Sequence, residues 1–166
     1  MKPIEGKVWT FGDLIDTDLI IPHAYLTTPE PEEQVKHAFE SIYENFYQKV
    51  NAGDIIVAGK NFGTGSSREE AVFVLKQMGI QVVIADSIAR IYYRNLINLG
   101  ILAIQIPGIS KQVKNQNVLS IDCEKGLVLN KTTSELFRFP PFPEYILNLI
   151  EMGGMINYIK QKLGKH

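Results

Sequence analysis

Residues 54–106, DIIVAGKNFGTGSSREEAVFVLKQMGIQVVIADSIARIYYRNLINLGILAIQI, decide the fold. Three short apolar runs, Asp54 to Gly59, Val82 to Ala85 and Ile101 to Ile106, are rich in β-branched residues and too short for helices, so they read as buried strands. Between the first two, Ala71, Val72, Leu75 and Met78 recur on one side of a helix expected from about Arg68 to Met78, with Gly79 stopping it. Between the second and third, a helix from Ile88 to about Asn98 has Ser87 as its expected cap and Gly100 beyond its end. Strand, helix, strand, helix, strand predicts a parallel α/β unit with right-handed crossovers.

Upstream, Lys7 to Phe11 alternates like a strand and runs into an irregular stretch, Gly12 to Pro31, holding Asp13, Asp16, Asp18 and three prolines. A loop of that length inside one domain is often functional. Val35, Ala38, Phe39, Ile42 and Phe46 then follow helical spacing. Downstream the character changes. Val118 to Ile121 and Leu127 to Leu129, joined through Glu124-Lys125-Gly126, read as a hairpin, and Leu136 to Phe139 as a further strand. Two C-terminal helices, from about residue 144, meet at Gly153-Gly154. The expectation is one α/β domain over residues 1–166, with a mixed, partly barrel-like sheet flanked by helices.

Composition narrows the function. Hydrophobic residues are 45% and charged residues 21% of the chain, which suits a globular protein and not a disordered one. A net charge of −1 gives no general grip on nucleic acid or anionic membrane, so a charged ligand must be met by a few local residues. No apolar run approaches the roughly 18 residues that span a bilayer, and the first residues do not resemble a signal peptide; a cytoplasmic protein is expected. Cys123 is the only cysteine and reads as a packed thiol at a strand end. None of the three histidines has metal-ligand spacing to a partner. Any metal chemistry must therefore use a metal held by another chain.

The chemistry-bearing segment is Asn61-Phe62-Gly63-Thr64-Gly65-Ser66-Ser67-Arg68-Glu69, at a strand-to-helix turn. Two glycines permit a tight turn and close approach to a ligand, and a following helix N-terminus offers free N–H groups to an anion. Ser66 and Ser67 add hydroxyls; Arg68 adds a fork matched to a carboxylate. The same amide dipoles favour a serine alkoxide, which can take a proton from carbon beside a carboxylate. The plain alternative is a helix capped by serine, with Glu69 or Glu70 beside its positive end. A Walker loop fails because no Gly-Lys-Ser/Thr follows. A dinucleotide fingerprint fails because Arg68 stands where its third glycine would be. No neighbouring histidine supports a serine-hydrolase triad.

Three ordered segments carry a more specific likeness. Gly63-x-Gly65-Ser66-Ser67-Arg68-Glu69 resembles the active-site motif of the swivelling domain of the aconitase superfamily. Asp16-Thr17-Asp18-Leu19-Ile20-Ile21-Pro22 and Ala85-Asp86-Ser87-Ile88-Ala89-Arg90-Ile91-Tyr92-Tyr93-Arg94-Asn95 are similar to two further segments of that domain. In a stand-alone chain of this size, the set resembles the small subunits of isopropylmalate isomerase and homoaconitase. The resemblance implies a hydro-lyase in which Ser66 is the general base and Ser67 and Arg68 hold substrate carboxylate. It also implies a separate large subunit, in a heterodimer or heterotetramer, carrying a four-iron–four-sulfur cluster whose open iron is the Lewis acid. Glu70 departs from the family, where histidine is common, and Ile88 replaces a common phenylalanine. Asp16 and Asp18 read as loop organisers ahead of a place beside the substrate, and Arg90 and Arg94, four apart on a helix, as structural ion-pair partners of those acids ahead of simply solvated side chains. His23, His37 and His166 receive no role.

In the family, the loop after Ile-Pro reads the variable group of the substrate; here it is Tyr25-Leu26-Thr27-Thr28. Arginine at its third position goes with an extra substrate carboxylate, as in homoaconitase. Thr27 cannot pair with a charge, so the resemblance implies an apolar group such as isopropyl. Dimethylmalate and methyl-substituted malates, a homoaconitase with its cation supplied elsewhere, and a non-catalytic anion-binding regulatory module remain the alternatives.

Overall fold

Seven strands form one mixed sheet in the computed structural model, which describes residues 1–164. In chain order the elements are β1 (Ile4–Thr10), α1 (Thr17–Ile20), α2 (Pro31–Lys36), α3 (Phe46–Lys49), β2 (Ile55–Ala58), α4 (Glu70–Gln77), β3 (Val82–Ala85), α5 (Arg90–Asn98), β4 (Leu102–Gln105), β5 (Val118–Asp122), β6 (Leu127–Asn130), β7 (Leu136–Arg138), α6 (Glu144–Glu151) and α7 (Met155–Lys162). The strand order is β4-β3-β2-β1-β5-β6-β7. The expected unit over residues 54–106 is present: β1 to β4 run parallel, in register Val8↔Ile55, Ile56↔Val83 and Ile84↔Ile104. The antiparallel half begins at β1 itself, whose first residues pair with β5 (Ile4↔Ile121); the β5–β6 hairpin and β7 complete it.

Alternation along the strands builds two cores. Ile56, Ala58, Val83, Ala85 and Ala103 face the helices and pack with Ala71, Val72, Leu75, Tyr92 and Leu96. Ile55, Val57, Val82, Ile84 and Ile104 face the other way. They meet Leu119, Ile121, Val128 and Phe137 from the antiparallel half, so the sheet curls on itself into a half-barrel. Burial on both faces explains the unbroken apolar runs of β2 and β3.

Three local expectations are corrected. The helix expected from Val35 to Phe46 ends at Lys36, and turns separate it from α3. The backbone reverses at Phe39 (φ 56°), whose N–H donates to Ile20 O at 3.0 Å. Phe39 and Phe46 thereby both become fully buried beside Phe11, while Ile42, assigned to the same face, is 39% exposed. An aromatic cluster outweighs helical continuity here. Second, Ser87 does not cap α5: its Oγ accepts from Asn61 N–H at 2.9 Å, and the cap position is Ala89. Third, the stretch from Gly12 to Pro31 contains α1, capped by Asp16, which accepts from Leu19 N–H at 2.8 Å.

Candidate active site

The carboxyl ends of β1, β2 and β3 lie side by side, the usual place for a site on parallel strands. The Gly-Ser loop leaves β2 between the two neighbouring loops and is tied to both. On the β1 side, Lys60 N–H donates to Asp13 Oδ1 (2.7 Å), Gly63 N–H to Ile15 O (2.7 Å) and Thr17 N–H to Thr64 O (2.9 Å). On the β3 side, Phe62 N–H donates to Ser87 O (3.1 Å) and Ala89 N–H to Phe62 O (2.9 Å). Gly63 is required here. Its φ is 79°, and a Cβ would stand 2.2 Å from the ring of Tyr92. That ring is buried, and its hydroxyl donates to Ala71 O at 2.7 Å. Burial pushes the Tyr92 phenol well above its ordinary range.

The turn then opens into a run of free donors. Among the described residues, no backbone N–H from Gly65 to Glu70 donates to a protein acceptor. Helix α4 starts at Glu70, two residues later than expected, and no side chain caps it. The capped-helix alternative for the serines is not what forms. Ser66 and Ser67 are exposed, and the Ser66 carbonyl accepts from Thr17 Oγ1 at 2.9 Å. Six partnerless amides beside a hydroxyl favour negative charge, on a bound carboxylate or on the serine oxygen.

Arg68 reaches back across the loop. Its side chain is 16% exposed, and its guanidinium lies 3.4 Å from both Asp18 Oδ1 and Ile21 O. Asp18 also accepts the His23 N–H at 2.9 Å; that bond first, and Arg68 second, hold its carboxyl below the ordinary value of 3.8. The expected pairing of Asp16 and Asp18 with Arg90 and Arg94 is therefore absent. Asp16 is a helix cap, Asp18 pairs with Arg68, and among the described residues neither arginine of α5 forms an ion pair. The reason is spatial: the Asp18 loop abuts the Gly-Ser loop, which lies between it and α5.

A cleft of about 310 Å³ brings Ser66, Ser67 and Arg68 together with Thr17, Arg90 and Asn95. A larger cleft of about 480 Å³ between α5 and α6, lined by Tyr93, Phe142 and Tyr145, contains neither serine nor the free amides. Tyr25, Leu26, Thr27 and Thr28 do not line the serine cleft. They form the end of a short turn held to α2 by Gln34, whose buried amide donates to Tyr25 O at 3.3 Å, and by Tyr25 stacked on His37 at 3.5 Å. Arg68 ties the serine loop to the chain just before that segment, through Ile21 O and through Asp18, which accepts from His23 N–H. His23 is exposed, Glu70 is half-buried at the start of α4, and His166 lies outside the described residues.

The described residues do not fit a metal cluster of their own. Among the described residues, no group of three or more His, Cys, Asp or Glu could hold a metal ion. Cys123 is 3% exposed, and burial pushes its thiol up to about 11. No helix among them is long and apolar enough to cross a membrane.

Sequence reasoning missed Thr17, Gln34 and Asn95. Thr17 and Asn95 sit inside segments already singled out, but only the spatial neighbour reveals what each touches. Gln34 carried no signal, because a lone polar residue on a short helix ordinarily faces water.

The model of the aconitase C-terminal domain family matches residues 16–108. A "3-isopropylmalate dehydratase small subunit" from Ruminiclostridium cellulolyticum is 45% identical over 159 residues, covering 96% of this chain and 98% of that protein. The "Isopropylmalate/citramalate isomerase small subunit" of Methanocaldococcus jannaschii is 44% identical over 162 residues, covering 98% and 96%. A crystal structure described as 3-isopropylmalate dehydratase from that organism superposes with a TM-score of 0.88 at 40% identity, covering 97% of this chain and 95% of that one. With near-full-length identity of this size and the same half-barrel, the chain belongs to the family of 3-isopropylmalate dehydratase small subunits, built on the aconitase C-terminal domain.

Proposed function

We propose that this chain, as one swivelling-type domain over residues 1–166, is the small subunit of a cytoplasmic hydro-lyase that interconverts 2- and 3-isopropylmalate in leucine biosynthesis. The observation that carries this reading is the exposed Ser66 hydroxyl, set in a run of amides without acceptors and beside Arg68. Ser66 acts as the base. Its oxygen takes the proton from one carbon while hydroxide leaves the neighbouring carbon, and returns it to that neighbour when hydroxide re-adds at the first. Ser67, Arg68 and the free amides hold a substrate carboxylate, and Asp18 keeps the Arg68 fork in place.

A four-iron–four-sulfur cluster held by a large subunit would supply the Lewis acid that the reaction needs. The active site then lies at a subunit interface, and the isolated chain is inactive. By the family resemblance, Tyr25, Leu26, Thr27 and Thr28, on the neighbouring segment outside the serine cleft, set the substrate. Thr27 offers no cation, and leaving a buried carboxylate unpaired costs several kcal/mol, where about 1.4 kcal/mol is tenfold in affinity. Isopropyl is favoured over a third carboxylate. A second reading is a methyl-substituted malate, supported by the isopropylmalate/citramalate name of one relative.

The test is reconstitution with the large subunit and turnover of isopropylmalate, homoaconitate, citramalate and dimethylmalate. Ser66→Ala is expected to lower turnover and solvent-deuterium exchange by at least about 10²-fold while leaving assembly intact. Near-normal turnover in that variant refutes the base assignment.

A further inference from the structure

We infer that Arg90 is a second carboxylate-binding residue of the Ser66 cleft; the inference rests on the proposed dicarboxylate substrate. That substrate carries two carboxylates. The amide run, Ser67 and Arg68 account for one. Arg68 is largely covered and already shared with Asp18 and Ile21 O, so it is poorly placed to serve both.

The opposite wall of the cleft is the first turn of α5, and Arg90 is its first residue. Arg90 is exposed, and among the described residues its guanidinium has neither a hydrogen bond nor an acid within ion-pair distance. The cleft lining contains two arginines and no aspartate or glutamate. When a partner subunit closes over this cleft, an arginine left alone would be a desolvated, uncompensated charge, which is costly. A guanidinium fork facing a planar carboxylate removes that cost and adds two charge-assisted hydrogen bonds. One rigid loop and one helix start would then grip the two ends of a dicarboxylate across the base.

The experiment uses the reconstituted two-subunit enzyme with Arg90→Gln and Arg90→Lys. It measures KM and kcat for isopropylmalate, and inhibition by the two isopropylmalate monoamides, each lacking one carboxylate charge. Arg90→Gln is expected to raise KM roughly 10- to 100-fold, the loss of one charged hydrogen-bond pair, with kcat changed far less. It should also abolish the preference of the enzyme for diacid over one monoamide, but not over the other. Arg90→Lys should recover part of that preference. Equal weakening of the diacid and both monoamides, or no weakening, overturns the inference. Loss of the large subunit from both variants also overturns it, assigning Arg90 to an acidic group of the partner. A wild-type enzyme that assembles but does not turn over isopropylmalate would sink the proposed reaction instead.

Discussion

Replacing Thr17 by valine should separate the positioning of Ser66 from the stability of the domain. Thr17 is 2% exposed; its N–H donates to Thr64 O and its hydroxyl to Ser66 O, both at 2.9 Å. Valine keeps the shape and the backbone bond but removes the hydroxyl donor. A typical intramolecular hydrogen bond contributes about 0.5–1.5 kcal/mol net. The Ser66 carbonyl belongs to an exposed residue that water can reach, so a loss near 1 kcal/mol is expected, roughly 2–4 °C in Tm for a domain of this size. Thr17→Ser keeps the donor and deletes one buried methyl, costing about 1 kcal/mol as well. The two variants should therefore melt alike and differ in catalysis. Misplacing a reacting group by about 1 Å costs on the order of 10²-fold, so kcat of the reconstituted Thr17→Val enzyme should fall roughly 10- to 100-fold with KM little changed. Thr17→Ser should stay near wild type. The assays are thermal unfolding of the subunit and steady-state turnover of the complex. Equal kcat values for the two variants would refute the idea that this bond positions Ser66 for the proposed base role.

Two further outcomes follow from the same loop. Gly63→Ala combines a left-handed φ, about 1–2 kcal/mol, with a Cβ 2.2 Å from the Tyr92 ring, about 1–3 kcal/mol of overpacking. Gly65→Ala has φ 94° but nothing closer than 3.5 Å, so only the first cost applies; urea midpoints that do not separate the two would exclude the ring contact as the cause. Asp18→Asn should destabilise at neutral pH. The folded-state pKa of Asp18 lies below its ordinary 3.8, so its contribution is present above 3.8 and is lost as pH falls through the lower, folded value. The stability gap between wild type and variant should close on acidification, as read by denaturation at a series of pH values.

The elements that were legible share one property: their signals are local. The runs Ile55–Ala58 and Val82–Ala85 are apolar throughout because both faces of the sheet are covered, and the hairpin around Gly126 needs only its own strands. The segment from Val35 to Phe46 misled because its spacing is helical, while the burial of two phenylalanines is settled by Phe11 and Ile20, which come from other parts of the fold. Ser87 reads as a cap by position, yet its oxygen is captured by Asn61 from the adjoining loop.

By itself, the amino-acid order determined which residues could carry the chemistry: Ser66, Ser67 and Arg68 after two glycines at a strand-to-helix turn. Tertiary structure alone decided their partners. Parallel pairing of β1, β2 and β3 sets three loops side by side, so Asp18 meets Arg68 across 50 positions, Thr17 holds Ser66 across 49, and Arg90 has no acid partner among the described residues. Such contacts depend on strand order and register, which no window of neighbouring residues encodes.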